Sequence, residues 1–272
     1  MRAITLLKPE ADAILELLLK AAAPCSIYVF GTRSMSTVQP ENTNNHFDIL
    51  VLTDTPVTGS HLMNEIRMQN DKNVTATVVV HNVKQLATKQ RSQQYFFDRV
   101  LRHGQRLALD KANVPYILNH SPEQDLETDT RFWHKCVAVA QFNIQAVKDS
   151  PQVDVTLCKI ALLNTACVQM AIGLIRVFLG YTPNEFGLKY LLQLCGHFTD
   201  LPQQVFACNT ENDIRLNKML CAPASMLLRW TKLDAEESDF EVLLQNCEVF
   251  LEKAGALATT ELNRLETLKP KL

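Results

Sequence analysis

No long run of Lys or Arg occurs in this sequence, and its formal net charge is only −2. That balance gives no general electrostatic pull toward polyanions, so nucleic acid is disfavoured as a partner unless a local basic patch exists. A membrane-spanning segment is also missing. The most apolar uncharged run, Ile160 to Ile175, falls short of the roughly 20 residues needed to span a bilayer and contains Asn164, Thr165 and Gln169. It reads as a buried helix, and no membrane partner is expected. Met1 to Lys8 has two basic residues but no apolar core ending in a small-residue cleavage site, so this stretch does not read as a secretory signal and a cytoplasmic location is expected. The eight cysteines include no CxxC pair and have mostly apolar neighbours, the pattern of reduced, buried thiols. Seven histidines show neither HxxxH nor Cys/His ligand spacing, which argues against a structural zinc site. No internal repeat is detectable.

Hydrophobic residues make up 47% of the chain and charged residues 21%, a globular composition. A chain of 272 residues is long enough for two ordinary domains. Over the first hundred residues helical and strand patterns alternate. Pro9 opens an amphipathic stretch with Ile14, Leu17, Leu18 and Ala21 at helical spacing, and Pro24 ends it. Ser26 to Phe30, Phe47 to Leu52 and Val74 to Val80 read as three strands, the first ended by Gly31. His61 to Met68, Val83 to Arg91 and Gln94 to Arg102 read as helices around that small sheet.

Near Asn113 to Pro122 the pattern changes, which sets domain boundaries at 1–115 and 116–272. Beyond it nearly everything is helical. Trp133, Val137, Ala140, Ile144 and Val147 fall on one apolar seam between Glu123 and Asp149, whereas Val155 to Leu179 is apolar nearly all round and belongs at a core, with Gly180 as its C-cap. A helix from Phe186 to Leu194 follows, then the less regular Leu201 to Ser225. The last long helix opens near Ser238 or Asp239 as N-cap and carries Phe240, Leu243, Leu244, Cys247, Phe250, Leu251, Ala254 and Leu257 on one face. Trp133, Phe178, Phe186, Phe240 and Phe250 read as core. The fold class is therefore α+β: a small mixed sheet with helices, followed by an antiparallel helical bundle.

Candidate chemistry lies in Phe30-Gly31-Thr32-Arg33-Ser34 and Asn45-His46-Phe47-Asp48-Ile49-Leu50-Val51-Leu52. A glycine with neighbouring hydroxyl and amide groups suits phosphate oxygens, and carboxylates two apart on a strand share a face and can hold Mg²⁺. The two segments resemble the nucleotidyltransferase superfamily of the DNA polymerase β type, particularly its small bacterial members, whose pattern is roughly FG-S-R, a spacer, then SDIDLLVL. Thr32 stands where the serine is usual. Asp48 takes the second aspartate if Ile-Leu-Val-Leu is aligned, so that His46 replaces the first; in the other register Asp48 comes first and Leu50 second. Either way one carboxylate of the pair remains, and Val74 to His81, where the family carries a third, contains no acid. Asp54 lies roughly 20 Å along the strand from Asp48 and cannot share its metal.

The resemblance implies phosphate contacts at Gly31, Thr32, Arg33 and Ser34, and Mg²⁺ or Mn²⁺ held by Asp48 and His46, which would also be the catalytic residues. Imidazole shifts preference toward Mn²⁺. Each residue has a plainer alternative: His46 as a polar loop residue, Asp48 as a strand-start hydrogen-bonding group, Thr32 and Arg33 as turn residues. Thr182-Pro183-Asn184-Glu185-Phe186-Gly187-Leu188-Lys189-Tyr190-Leu191-Leu192 and Leu228-Arg229-Trp230 resemble the HEPN helical domain, and His81-Asn82-Val83-Lys84-Gln85 followed by Tyr95 to Gly104 resembles the linker that joins the two families. Arg229 is followed through Glu236 by no histidine, so the HEPN ribonuclease pair is missing. The expectation is a pseudoenzyme that binds ATP or another NTP with its metal in a cleft between the domains, with weak or no transfer activity. Active transfer of an NMP to a hydroxyl is the alternative. A further one is a non-catalytic, toxin-antitoxin-type protein partner, or a homodimer through the helical domain.

Overall fold

Strand-like alternation before residue 110 and helical periodicity after 122 separate the chain into two compact units, residues 1–124 and 125–272. The computed structural model describes residues 9–36, 43–69, 74–86, 91–109, 122–151, 155–227 and 235–268. Met1 to Lys8, the spacer 37–42, most of the expected boundary region (110–121) and Leu228-Arg229-Trp230 lie outside the described residues.

In the first unit α1 (Pro9–Ala22) leads into β1 (Ser26–Ser36), β2 (Thr43–Leu52), α2 (Gly59–Gln69), β3 (Val74–His81), α3 (Arg91–His103) and β4 (Gln105–Leu109). The strands form one sheet in the order β3-β2-β1-β4, with β2 and β3 parallel and the other pairs antiparallel. Successive side chains on a strand alternate faces. Ile27, Val29, Phe47, Ile49, Val51, Val78 and Val80 therefore share one face, where they are buried against Ile14, Leu17 and Leu18 of α1 and Leu62 and Ile66 of α2. On the other face α3 packs Phe97 edge-on to His81 at 4.8 Å and Phe96 edge-on to Phe30 at 5.5 Å.

The structure corrects two expectations and adds a fourth strand. Gly31 does not end β1: the register shifts between Val29 and Gly31, and the strand then continues to Ser36 beside β2. A bulge absorbs what reads in sequence as a stop. Of the helix expected over Val83 to Arg91, Val83–Gln85 forms a single 3-10 turn capped by the Asn82 side chain. β4, too short for a periodic signal, closes the sheet beside β1.

The second unit contains α4 (Leu126–Lys148), α5 (Thr156–Leu179), α6 (Leu188–Cys195), α7 (Leu201–Val205), α8 (Glu211–Leu220), α9 (Ala224–Leu227) and α10 (Glu237–Thr267). Asp125 caps α4 through the Thr128 amide, and Gly180 ends α5 with φ 61, the left-handed cap its lack of a Cβ permits. α5 is long and apolar enough to cross a membrane by length and composition, yet 72% of its most apolar window is buried, as in a helix enclosed by others. Lys159 meets Glu237 at 3.0 Å and Cys167 meets Cys247 at 3.3 Å. Contacts thus advance in the same sense along α5 and α10, so these two run parallel rather than antiparallel. Ser238 and Asp239 are not the cap of α10: Glu236 is, and Asp239 accepts from its backbone amide.

Phe186, expected in the core, is 57% exposed. It precedes α6, which begins at Leu188 after the Gly187 N-cap, so no helical face carries it inward. Cys158 and Cys208 are also exposed rather than buried.

Where α4 crosses α5, Gly173 lies under Trp133. A Cβ there would sit 2.7 Å from Trp133 Cε3 and 3.1 Å from Cys136 Cβ. Trp133 is buried and cannot yield without repacking. Gly173→Ala therefore sets an overpacking cost of about 1–3 kcal/mol against a helix-propensity gain of about 1 kcal/mol. We expect a net loss of roughly 1 kcal/mol in chemical denaturation followed by tryptophan fluorescence; a gain in stability would refute the close approach.

Candidate functional site

β2 places His46 and Asp48 two apart, hence on one face, opposite the apolar core. In the register with β1, Gly31 lies across from Asp48 and Arg33 across from His46; with β3, Thr75 lies across from His46 and Thr77 across from Asp48. These residues therefore converge on one patch of sheet. Arg33 Nη1 donates to both carboxylate oxygens of Asp48, at 3.3 and 3.2 Å. His46 Nε2 stands 3.4 Å from Asp48 Oδ1. The same imidazole has Nδ1 2.7 Å from Thr75 Oγ1 and Nε2 2.8 Å from Thr77 Oγ1. Asp48 and His46 are each 2% exposed at the side chain, whereas Arg33 is 18% exposed. Solvent reaches this cluster through the arginine.

The four residues expected to contact phosphate do not act as one loop. Gly31 and Arg33 share the face of Asp48. Thr32 lies across from Phe47, a core residue of the other face, and Ser34 has the same parity. Both are exposed. All four lie on β1 beyond its bulge, in an extended stretch that pairs with β2 on one side, while β4 pairs only with Ser26 to Val29. The hydroxyls beside His46 come instead from Thr75 and Thr77, which sequence reasoning misses. Their spacing of two within a Val-rich strand is the available signal, but only the β2–β3 register makes them neighbours of His46.

Asp54 is exposed and pairs with Lys84 at 2.8 Å. One arginine does have a histidine four residues on, Arg99 and His103 of α3. Both are exposed and lie in the first unit, and Arg99 stacks over the Tyr95 ring at 5.4 Å. This pair is not in the helical half, where the HEPN resemblance would place it.

The donor set can be tested against a divalent cation. Among the described residues no group of three or more His, Cys, Asp or Glu side chains is placed to hold a metal ion. The carboxylate of Asp48 faces a guanidinium at 3.2 Å, which repels any second cation brought to the same oxygens. As arranged, the cluster does not fit a resident Mg²⁺. Its summed charge, with one arginine, one aspartate and one histidine, is neutral to positive, which suits an approaching anion better. No protein-family model matches this chain, and no curated protein matches it.

Proposed function

We propose that the protein binds ATP or a similar nucleotide through the Arg33–Asp48–His46 cluster and has weak or no transfer activity. The first unit is, in this reading, a degenerate nucleotidyltransferase-type domain, and the helical unit a HEPN-like bundle. One observation carries the proposal: a buried polar cluster on the sheet joins the two sequence segments that resemble the family motif, with Arg33, 18% exposed, its most accessible member. Phosphate oxygens compete for that arginine because bidentate guanidinium contacts to phosphate are strong. Mg²⁺ is then brought by the nucleotide rather than held by the protein, which accords with its common use of one or two carboxylates plus substrate phosphates. A lone carboxylate supplies little of the anionic charge that two-metal transfer needs, so a binder is favoured over an enzyme.

Calorimetric titration of the full chain with ATP and with GTP, each with Mg²⁺ and with Mn²⁺, tests this directly. Saturable binding of at least one nucleotide is expected; no binding under any of the four conditions would sink both the binder and the enzyme. Incubation with α-labelled ATP and cell extract then separates the two, with no metal-dependent label transfer expected.

A further inference from the structure

Four of the cysteines form a file from the surface of the helical unit to its core. Innermost, the Cys167 thiol of α5 donates to Cys247 Sγ of α10 at 3.3 Å, both side chains being buried. Cys221, just past α8, is held against the same stretch of α5, since Asn164, one turn before Cys167, donates its Nδ2 to the Leu220 carbonyl at 2.7 Å; half-buried, Cys221 donates to Asn217 Oδ1 at 3.1 Å. The amide nitrogen of the same Asn217 donates to Cys208 Sγ at 3.1 Å, and Cys208 is exposed. Burial first, and then the nearby Cys167 and Cys208, push the Cys221 thiol up to about 12, so exchange through it is slow near neutral pH and quickens as pH rises. Disulfide sulfurs are about 2.05 Å apart, so the inner pair needs an approach of only about 1.3 Å to bond. A bulky oxidant cannot reach two buried sulfurs, and burial also keeps the thiols protonated, which ordinarily makes such cysteines inert. The outer two cysteines supply the access.

We infer that Cys167 and Cys247 are a thiol–disulfide site, closed by exchange with a small-molecule disulfide such as oxidised glutathione that enters at Cys208. The Cys208 thiolate attacks one glutathione sulfur, breaking that S–S bond and releasing one glutathione thiol. Cys221 attacks the Cys208 sulfur of the mixed disulfide and releases the second. Cys167 then displaces Cys208 from Cys221, and Cys247 displaces Cys221 from Cys167, leaving one bond between α5 and α10. Cys208 and Cys221 end as thiols. In sum, Cys167 and Cys247 lose two protons and two electrons, and one oxidised glutathione becomes two reduced ones.

The test equilibrates the full chain in glutathione buffers of increasing oxidised fraction, quenches with acid, alkylates free thiols and maps peptides by mass spectrometry. Two fewer alkylated thiols and a peptide joining Cys167 to Cys247 are expected. Cys208→Ser should slow formation at least tenfold while leaving the equilibrium ratio unchanged, because it removes the entry and not the bond. Eight alkylated cysteines at the most oxidising ratio, a crosslink confined to other cysteines, or an unchanged rate in Cys208→Ser would each overturn the inference.

Discussion

Asp129→Ala should lower the stability of the helical unit by about 3–5 kcal/mol, the cost of leaving a buried charge without its partner. Asp129 Oδ1 accepts from Arg176 Nε at 2.5 Å, with side chains 0% and 5% exposed. Arg176 also donates to Thr182 Oγ1 at 3.0 Å and lies over the Phe132 ring at 5.9 Å. Asp129 is in the first turn of α4 and Arg176 in the last turn of α5, so each charge also complements the dipole end of its own helix. Removing the carboxylate takes the Asp129 anion from a guanidinium that water cannot reach, and a loss of this size is a large share of an ordinary domain's stability of roughly 5–15 kcal/mol. Both tryptophans, Trp133 and Trp230, fall in the second unit, so their fluorescence in urea reports this unit alone. The double variant Asp129→Ala/Arg176→Met should recover most of the loss, since neither charge remains to be compensated. A single variant within about 1 kcal/mol of the parent would show that the pair carries no such weight.

Elements with a strong local pattern are legible in the sequence alone. α5 is apolar on every face and ends at a glycine, and both features follow from local sequence. The core of β2 from Phe47 to Leu52 likewise shows in a short run of β-formers. Features set by distant partners are not legible in this way. β1 runs past Gly31 because β2 pairs with its far half, and the parallel course of α5 and α10 depends on the path of everything between them. Phe186 reads as core only if a helix runs through it; begun two residues later, the helix leaves it in solvent. At the candidate site His46, Asp48, Gly31 and Arg33 can be grouped from motif spacing. Thr75 and Thr77 cannot, since they reach His46 only through the parallel register of β2 and β3. The likeness to phosphate-binding loops overstates Thr32 and Ser34, whose parity puts them across the sheet from Asp48.

If nucleotide phosphates compete with Asp48 for Arg33, the two partners of this ion pair should respond to substitution in opposite directions. Arg33→Ala removes the group that meets the phosphate, and charge-assisted hydrogen bonds are worth about 1.5–3 kcal/mol, so ATP affinity should fall roughly tenfold to a hundredfold. Asp48→Asn keeps the shape but withdraws the anion that holds Nη1 at 3.2–3.3 Å. Arg33 then loses its charged contact with Asp48, and binding of ATP without metal should strengthen by roughly tenfold, about the release of one charged hydrogen bond. A pair with a purely structural role makes a different forecast: both variants lose stability, and any effect on nucleotide has one sign. Calorimetry on the two variants with and without Mg²⁺, beside their melting curves, therefore distinguishes a competed ion pair from a fixed one. Equal losses of affinity in Arg33→Ala and Asp48→Asn would remove the cluster from the nucleotide site while leaving its part in holding β1 to β2 intact.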